Sequence, residues 1–291
     1  MPARCGLPAN DEVTCIMEHL IGKLIEEALF EDIGPGDITS EAVIPEEATS
    51  TAEIIAKQDM VLAGVLIARE VFRKLDPWVQ FTPLAHDGGR VQSGSIIAQV
   101  QGRTRMLLAG ERVALNLMQH LSGIATNTSR YVDALKGSRA EILDTRKTLP
   151  GLRALEKYAV RMGGGRNHRF GLYDGILIKD NHIKAAGGII KAMAGIRKKV
   201  HPLLKIEVEV KTLDEVREAM AAGATMVLLD NMPPALMKQA VGIIGERVLV
   251  EASGNVTLDN VKSIAETGVD FISSGSLTHS APAADISMKI K

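Results

Sequence analysis

The most regular pattern in the chain is IEVEVKTLDEVREAMAAGATMVLLD (206–230), which predicts a strand, a helix and a second strand in succession. The helical pattern begins after Thr212, and Glu215 three residues later completes the signature of a capping box. Further β-rich runs follow at VLVEAS (248–253) and FISSG (271–275). The four runs start at residues 206, 226, 248 and 271, a spacing typical of consecutive βα units and a parallel sheet.

Two earlier runs, EILDT (141–145) and ILIKD (176–180), raise the number of expected strands to six. Six such strands fit either a doubly wound sheet or a barrel. Each run carries a polar residue at or near its end, and these are Asp144, Lys179, Glu209, Asp230, Glu251 and Ser273. Functional groups of α/β folds gather at the carboxyl ends of parallel strands, so convergence of six such groups favours a barrel. We therefore expect a six-stranded parallel α/β barrel at residues 119–276, with fewer strands than a complete TIM barrel.

Residues 1–118 lack this rhythm and predict an N-terminal α/β (α+β) sandwich of short antiparallel strands and helices. The run IGKLIEEALFEDI (21–33) has the pattern of an amphipathic helix. A longer helical pattern at 111–135 is expected to cross between the domains and to be broken near Ser122 and Gly123. The tail, 277–291, is expected to pack back on the N-terminal domain.

Composition excludes several classes of protein. The 34 basic and 35 acidic residues give a formal charge of −1, and aromatic residues make up 3%, so we expect no nucleic-acid partner. No apolar run reaches the length of about 18 residues that a membrane span needs. Asp11 and Glu12 stand where an export signal would need apolar residues, and Cys5 and Cys15 form no disulfide framework. We expect a cytoplasmic protein without a membrane partner.

The segment 144–184 concentrates positive charge, with nine Lys or Arg and four acidic residues. Several of its polar side chains follow strands or glycine-rich turns: Arg146, Lys147, His168, Arg169 and Lys179. Arginine suits bidentate contacts with carboxylates and phosphates, so this pattern predicts a cavity for a multiply anionic ligand. The alternative, a solvated basic surface, fits Arg153, Lys157 and Arg161 equally well because they lie on a predicted helix.

Acidic residues lie on the following strands. Glu207 and Glu209 share one strand face because side chains alternate, and Asp230 and Glu251 lie on the next two strands. Such carboxylates can hold Mg²⁺ or accept hydrogen bonds from sugar hydroxyls, although salt bridges at a barrel mouth would give the same pattern.

Two loops of small residues follow the last two strands, Ser253-Gly254-Asn255 and Ser273-Ser274-Gly275-Ser276. Paired loops at this position of α/β barrels often bind a phosphate, and ordinary tight turns are the alternative. Together, the three features suit a phosphoribosyl donor and an anionic acceptor.

The runs DTRKTLPGLRALEKYAV (144–160), GGGRNHRFGLYDGILIKDNHI (163–183) and TGVDFISSGSLT (267–278) resemble the nicotinate-nucleotide pyrophosphorylase (carboxylating) family, also called quinolinate phosphoribosyltransferase. The resemblance extends from about residue 20 to the C-terminus. It implies that quinolinate and 5-phosphoribosyl-1-diphosphate give nicotinate mononucleotide, diphosphate and CO₂ with Mg²⁺, in NAD biosynthesis. It also implies a homodimer, or a hexamer built from dimers, with active sites shared between subunits.

The resemblance also implies roles for individual residues. Quinolinate would contact Arg146, His168, Arg169 and Lys179, with Arg112 supplied by the other subunit. Lys147 would act at the diphosphate, and Glu209 and Asp230 at the ribose hydroxyls and, through substrate oxygens, the metal; these three are the expected catalytic residues. Ser253, Gly254 and Gly275 would hold the 5′-phosphate. Thr145, Asn255, Ser273 and Ser274 complete the expected substrate-binding set.

Two other functions remain open at this point. One is a paralogue of the same fold with another acceptor, such as a molybdenum-transport-associated pyrophosphorylase-like protein, and the full basic set argues against it. The other is a non-catalytic protein that binds a phosphoribosyl metabolite. Retention of Lys147, Glu209 and Asp230 argues against pure binding.

Overall fold

The structure is a computed structural model that describes the backbone of residues 11–291 and the side chains from Leu20 onward. The expectations for residues 1–10, and for the side chains of Asp11, Glu12 and Cys15, lie outside the described residues. The chain divides into two compact units. The first comprises the residues up to Thr126, Pro150–Met162 and Pro282–Lys291, and the second comprises Asn127–Leu149 and Gly163–Ala281.

The helices and strands are as follows. The helices are α1 Asp11–Ile33, α2 Ile38–Val43, α3 Val65–Leu75, α4 Thr104–Ala134, α5 Arg153–Met162, α6 Asp180–Ala186, α7 Ile189–Arg197, α8 Leu213–Ala221, α9 Pro234–Ile244, α10 Val261–Ala265 and α11 Ser276–His279. The strands are β1 Thr49–Ala56, β2 Met60–Val61, β3 Gln80–Pro83, β4 Arg90–Val91, β5 Ile96–Arg103, β6 Glu141–Leu143, β7 Ile176–Ile178, β8 Ile206–Val210, β9 Met226–Asp230, β10 Leu249–Ser253, β11 Phe271–Ser273 and β12 Ile286–Ile290.

An antiparallel sheet in the order β12-β1-β5-β3 organises the first unit. The C-terminal strand β12 pairs with β1, so the end of the chain belongs to this sheet. Apolar side chains of the sheet and of α3 are fully enclosed, among them Ile54, Val100 and Phe72. This separate antiparallel sheet with its helices confirms the α/β fold class expected for the N-terminal part.

The break predicted in the helix near Ser122 and Gly123 is wrong, because α4 runs without interruption. A Cβ atom on Gly123 would lie 2.1 Å from the carbonyl oxygen of Pro282. The Ser122 hydroxyl also accepts the backbone N–H of Ala63 at 3.0 Å. Both small residues allow neighbouring backbone to approach the helix closely, and the sequence pattern of such a contact resembles that of a helix break.

The second unit contains the predicted six-stranded parallel sheet, in the order β6-β11-β10-β9-β8-β7. Strands β8 and β9 have the predicted bounds, whereas β6 and β7 end before the polar residues Asp144 and Lys179. These two side chains therefore belong to the loops at the carboxyl edge. The capping box of Thr212 and Glu215 is present at the start of α8.

A short segment covers the free edge of β6. The backbone of Arg166 donates to the carbonyl of Ile142 at 3.0 Å, and its own carbonyl accepts the N–H of Asp144 at 3.1 Å. This pairing places Arg166 beside β6, and His168 and Arg169 follow it at the carboxyl edge of the sheet. Among the described residues, no helix has the length and apolar character needed to cross a membrane.

Candidate active site at the carboxyl edge of the parallel sheet

A buried polar group lies beneath the carboxyl edge of the sheet. The His168 Nε2 atom lies 3.1 Å from Glu207 Oε2 and 3.6 Å from Glu251 Oε2. The two glutamates lie on β8 and β10, with β9 between them. Strands in a sheet are about 4.8 Å apart, so the two glutamates reach the ring nitrogen from either side of β9. Their side chains are 6% and 1% exposed.

Glu251 is held largely in its neutral form. Its side chain is 1% exposed. Burial, followed by repulsion from Glu207, raises the pKa of Glu251 to about 8. The loss of solvation by a buried carboxylate is costly unless a proton or a cation neutralises it, which explains the direction of this shift.

Two of the expected acceptor-binding residues, Arg146 and Arg169, lie close together. Burial, followed by repulsion from Arg146, lowers the pKa of Arg169. The Arg169 guanidinium donates to the carbonyl of Gly175 at 2.9 Å, which fixes its direction. Two neighbouring guanidinium groups repel each other, and an anion with two carboxylates would relieve that repulsion.

A mixed cluster of charges lies at the ends of β7, β8 and β9. Burial, followed by repulsion from Asp230, raises the pKa of Glu209, whereas Lys179 acts in the opposite direction. Lys211 links this cluster, because its Nζ lies 3.2 Å from Asp180 Oδ2 and 3.6 Å from Asp230 Oδ2. The structure therefore brings together the predicted residues Lys179, Glu209 and Asp230, and it adds Asp180 and Lys211.

Asparagine side chains join the ends of two neighbouring strands, β9 and β10. Asn231 donates to Asp230 Oδ1 at 2.9 Å and accepts from Asn255 Nδ2 at 3.0 Å. Gly254 has φ +98°, and a Cβ atom there would lie 2.2 Å from Asn231 Oδ1. Only glycine combines this backbone conformation with so close an approach. The predicted loop 253–255 is thus fastened to the end of β9 beside Asp230.

Lys147 lies against the other predicted loop. A Cβ atom on Gly275 would lie 2.7 Å from Lys147 Cδ, and Thr278 Oγ1 donates to the Lys147 carbonyl at 2.8 Å. The Thr145 hydroxyl accepts the Lys147 N–H at 3.0 Å. The Ser273 hydroxyl donates to that of Ser253 at 3.0 Å and so joins the two small-residue loops. A lysine beside the Gly275 loop, which Ser273 joins to the 253–255 loop, suits the binding of phosphate groups.

Arg112 and Ser274 stand apart from these contacts. Arg112 belongs to the first unit, is 56% exposed and lies 3.9 Å from Glu111. Ser274 is buried; its hydroxyl contacts that of Ser276 at 2.7 Å and donates to the carbonyl of Val256 at 3.3 Å. These two contacts occupy the Ser274 hydroxyl.

Sequence reasoning did not select Asp180, Lys211 or Asn231 as site residues. Lys211 and Asn231 each lie one residue beyond a strand, and Asp180 lies two residues beyond β7, all at the carboxyl edge of the parallel sheet. The first two positions past each strand would have included all three. It would not have revealed that Lys211 pairs with two carboxylates from different strands.

Two domain models of one protein family match consecutive parts of the chain. The family model described as "Quinolinate phosphoribosyl transferase, N-terminal domain" matches residues 37–122, and the corresponding C-terminal domain model matches residues 124–289. The probable nicotinate-nucleotide pyrophosphorylase [carboxylating] of Bacillus subtilis is 47% identical and covers 94% of this chain and 95% of its own. The chloroplastic enzyme of that name from Arabidopsis thaliana is 46% identical, over 92% and 82% of the respective chains. The crystal structure of NadC from Streptococcus pyogenes is 42% identical, with a TM-score of 0.91 over 94% of this chain and 97% of its own.

Proposed function

The chain belongs to the quinolinate phosphoribosyltransferase family, and on that premise we propose that it uses the site described above for the family's reaction. It is a pentosyltransferase that converts quinolinate and 5-phosphoribosyl-1-diphosphate into nicotinate mononucleotide, diphosphate and CO₂, in NAD biosynthesis. The observation that carries the assignment of the site is the arginine pair, Arg146 and Arg169, at the edge that also carries Glu209 and Asp230.

Arg146, Arg169 and Lys179 bind the two carboxylates of quinolinate in this proposal. Burial of Arg169 beside Arg146 makes this position electrostatically unfavourable for cations and favourable for a dianion. The bidentate geometry of guanidinium groups would also orient the pyridine ring. Lys179 acts on Glu209 electrostatically, so it lies where the acceptor would meet the ribose.

The donor is held by the two small-residue loops. Ser253, Gly254 and Asn255, with Ser273 and Gly275, offer hydroxyl or backbone N–H groups to the 5′-phosphate. Ser274 contributes by holding the loop through its contacts with Ser276 and Val256. Lys147 lies against Gly275 and is placed to offset the charge of the leaving diphosphate. Thr145 supports Lys147 through its backbone N–H.

The chemistry then follows from charge. The pyridine nitrogen forms a bond to C1 of the ribose while the bond from C1 to diphosphate breaks, and positive charge develops on the ribose. Glu209 and Asp230 stabilise that charge electrostatically. When the adjacent carboxylate leaves as CO₂, the electron pair of the broken bond stays on the ring carbon, where the cationic pyridinium nitrogen stabilises it. A proton then binds to that carbon in place of the carboxylate. No covalent intermediate with the protein is needed, because orientation and electrostatics lower the barrier.

The residues present fit Mg²⁺, whose preferred ligands are carboxylate and phosphate oxygens. Glu209 and Asp230 would hold it through substrate oxygens, beside Asp180. Mg²⁺ would supply positive charge to the diphosphate as it leaves. Lys211 already pairs with Asp180 and Asp230, so in this proposal it keeps the two carboxylates in place before the donor binds.

The oligomer belongs to the same proposal. Arg112 is more than half exposed and has only a long contact of 3.9 Å to Glu111, so it is available for a ligand of another subunit. We propose a homodimer, or a hexamer of such dimers, in which Arg112 completes the acceptor pocket of the partner. The cytoplasmic location remains a prediction.

Acceptor discrimination tests the proposal. Quinolinate should be turned over, nicotinate should be a poor substrate, and uncharged nicotinamide should be a very poor one, since it offers no carboxylate to Arg146, Arg169 or Lys179. Initial rates with the three acceptors at fixed donor concentration measure this order. Comparable rates with nicotinamide and quinolinate would contradict the assignment of quinolinate as the acceptor.

A further inference from the structure

His168 differs from its neighbours because both of its ring nitrogens have partners within the protein. Its Nδ1 accepts the backbone N–H of Arg169 at 2.8 Å. Its Nε2 lies 3.1 Å from Glu207 Oε2, within hydrogen-bond distance. The backbone N–H of His168 itself donates to Asp144 Oδ1 at 2.9 Å, so both the ring and the main chain are held.

These partners fix the tautomer of the ring. A backbone N–H can only donate, so Nδ1 must present its lone pair and carry no proton. The ring proton is then on Nε2, where Glu207 accepts it. A proton on Nδ1 would point at the N–H of Arg169 and break this contact, so the geometry favours the tautomer with its proton on Nε2.

The same tautomer decides against a metal ion at this position. His168, Glu207 and Glu251 are a group of three potential ligands whose ligand atoms lie within 4.8 Å of one another. A neutral histidine that binds a metal through Nε2 carries its proton on Nδ1 and donates it to an acceptor. Here Nδ1 faces a donor, so the geometry assigns a proton to Nε2.

Burial explains why this contact is persistent. The side chains of Glu207 and Glu251 are 6% and 1% exposed. Glu207 Oε2 lies 3.1 Å from Nε2, closer than Glu251 Oε2 at 3.6 Å, so Glu207 is the acceptor of the ring proton. The Glu207 charge also acts favourably on Arg169.

We propose that Glu207 is a positioning residue, which orients His168 through Nε2–H so that Nδ1 holds the backbone of Arg169 in place for the acceptor. The proposal rests on the proposed function for the identity of the acceptor. It gives His168 an indirect role: the ring sets the position of Arg169, whose guanidinium is fixed at its other end by the carbonyl of Gly175.

The tautomer of His168 is the first test, and it requires no turnover. The protein contains 7 histidines, so ¹⁵N-histidine labelling with a His168→Gln variant assigns the signal in long-range ¹H–¹⁵N spectra of the full-length protein. We expect a protonated Nε2 and a bare Nδ1 in the wild-type protein and in Glu207→Gln, whose amide oxygen still accepts. Glu207→Ala should give a mixture of tautomers. A bare Nε2 or a cationic ring in the wild-type protein would overturn the proposal.

Kinetics provide the second test. Glu207→Ala should raise KM for quinolinate by about tenfold or more, while KM for 5-phosphoribosyl-1-diphosphate stays within about threefold. Glu207→Gln should stay near wild type. Equal rises of both KM values, or equal loss in the Ala and Gln variants, would show a general structural role and would overturn the proposal.

A matched control is available in the first unit, where His120 Nε2 lies 2.9 Å from the buried carboxylate of Glu156. Glu156→Ala should lower the thermal stability without a selective change in KM for quinolinate. If Glu207→Ala does not fold, Glu207→Asp is used instead of it in both tests, because the shorter side chain withdraws the carboxylate by one methylene. A wild-type protein that does not turn over quinolinate contradicts the proposed function, whereas the spectra still decide the role of Glu207.

Discussion

Lys147 and Asp230 are the side chains whose loss should affect the chemical step most directly. Lys147→Ala and Asp230→Ala should each lower kcat by more than about tenfold, which corresponds to about 1.4 kcal/mol of barrier. The reason is that Lys147 lies against the Gly275 loop and Asp230 lies beside Glu209, where charge changes during the reaction. Steady-state kinetics with both substrates saturating measure the effect.

The matched control for this prediction is Lys238→Ala, which removes an exposed lysine on α9 and should leave kcat unchanged. Unaltered thermal unfolding of the two site variants would show that the fold is intact. Wild-type turnover in both would mean that these are surface charges without a catalytic role.

Glu251 should make stability depend on pH in a specific direction. Its pKa rises from 4.5 to about 8 on folding, so between these values the folded state binds more protons than the unfolded state. The contribution of Glu251 therefore becomes less favourable as pH rises from about 4.5 to about 8. In Glu251→Gln that loss is absent, so the variant should lose less stability than wild type between pH 5 and pH 8. Chemical unfolding across this pH range measures the difference, and identical pH profiles would contradict it.

At the scale of elements, the uninterrupted α4 depends on the absence of a side chain at Gly123. A Cβ atom there would lie 2.1 Å from the Pro282 carbonyl, so Gly123→Ala should destabilise the protein by about 1–3 kcal/mol despite the better helix propensity of alanine. In α7, Gly195 has no atom within 4 Å of such a Cβ. Gly195→Ala should instead stabilise the protein by about 0.5–1 kcal/mol. Urea unfolding of both variants tests the pair, and equal effects would refute the close-contact explanation.

The elements themselves were largely predictable because each βα unit is encoded locally. Strands β8 and β9 follow from β-rich runs of fixed spacing, and the capping box of α8 follows from Thr212 and Glu215. Helix α10 begins only at Val261, because Asn260 Oδ1 accepts the N–H of Thr257 and holds the preceding residues in a turn. The turn is also encoded locally, but the sequence pattern alone does not show whether the backbone N–H of Thr257 bonds to Asn260 or the helix starts earlier.

Contacts between elements were not predictable in the same way. The sequence indicates that Asp230 and Glu209 lie at one edge of a sheet, because strand ends converge there. It does not indicate that the segment beside β6 turns His168 toward Glu207 on β8, since that contact joins residues 39 positions apart in the chain. Gly123 was misinterpreted for the same reason, because its partner Pro282 lies far along the chain.

At the scale of the whole molecule, the proposed sharing of active sites between subunits predicts that two inactive variants restore activity in a mixed dimer. Arg112→Ala and Lys179→Ala should each be nearly inactive alone. In a mixed dimer, one site receives Lys179 from one subunit and Arg112 from the other and is intact, whereas the second site carries both defects. Activity should therefore return when the two variants are unfolded and refolded together.

Subunit exchange in this experiment is checked by placing different affinity tags on the two variants and isolating the doubly tagged species. If that species forms and remains inactive, Arg112 serves its own subunit or the fold alone. The homodimer with shared sites would then have to be abandoned.

The central claim concerns the coupling of phosphoribosyl transfer to decarboxylation, and its most direct measurement is stoichiometry. Quinolinate carrying ¹⁴C in its 2-carboxylate is incubated with the purified protein, Mg²⁺ and 5-phosphoribosyl-1-diphosphate, and CO₂, diphosphate and nicotinate mononucleotide are quantified together. The account predicts equal amounts of all three products, and no CO₂ when the phosphoribosyl donor is omitted. Diphosphate or nucleotide released without an equal amount of labelled CO₂, or a lack of quinolinate turnover, would contradict it.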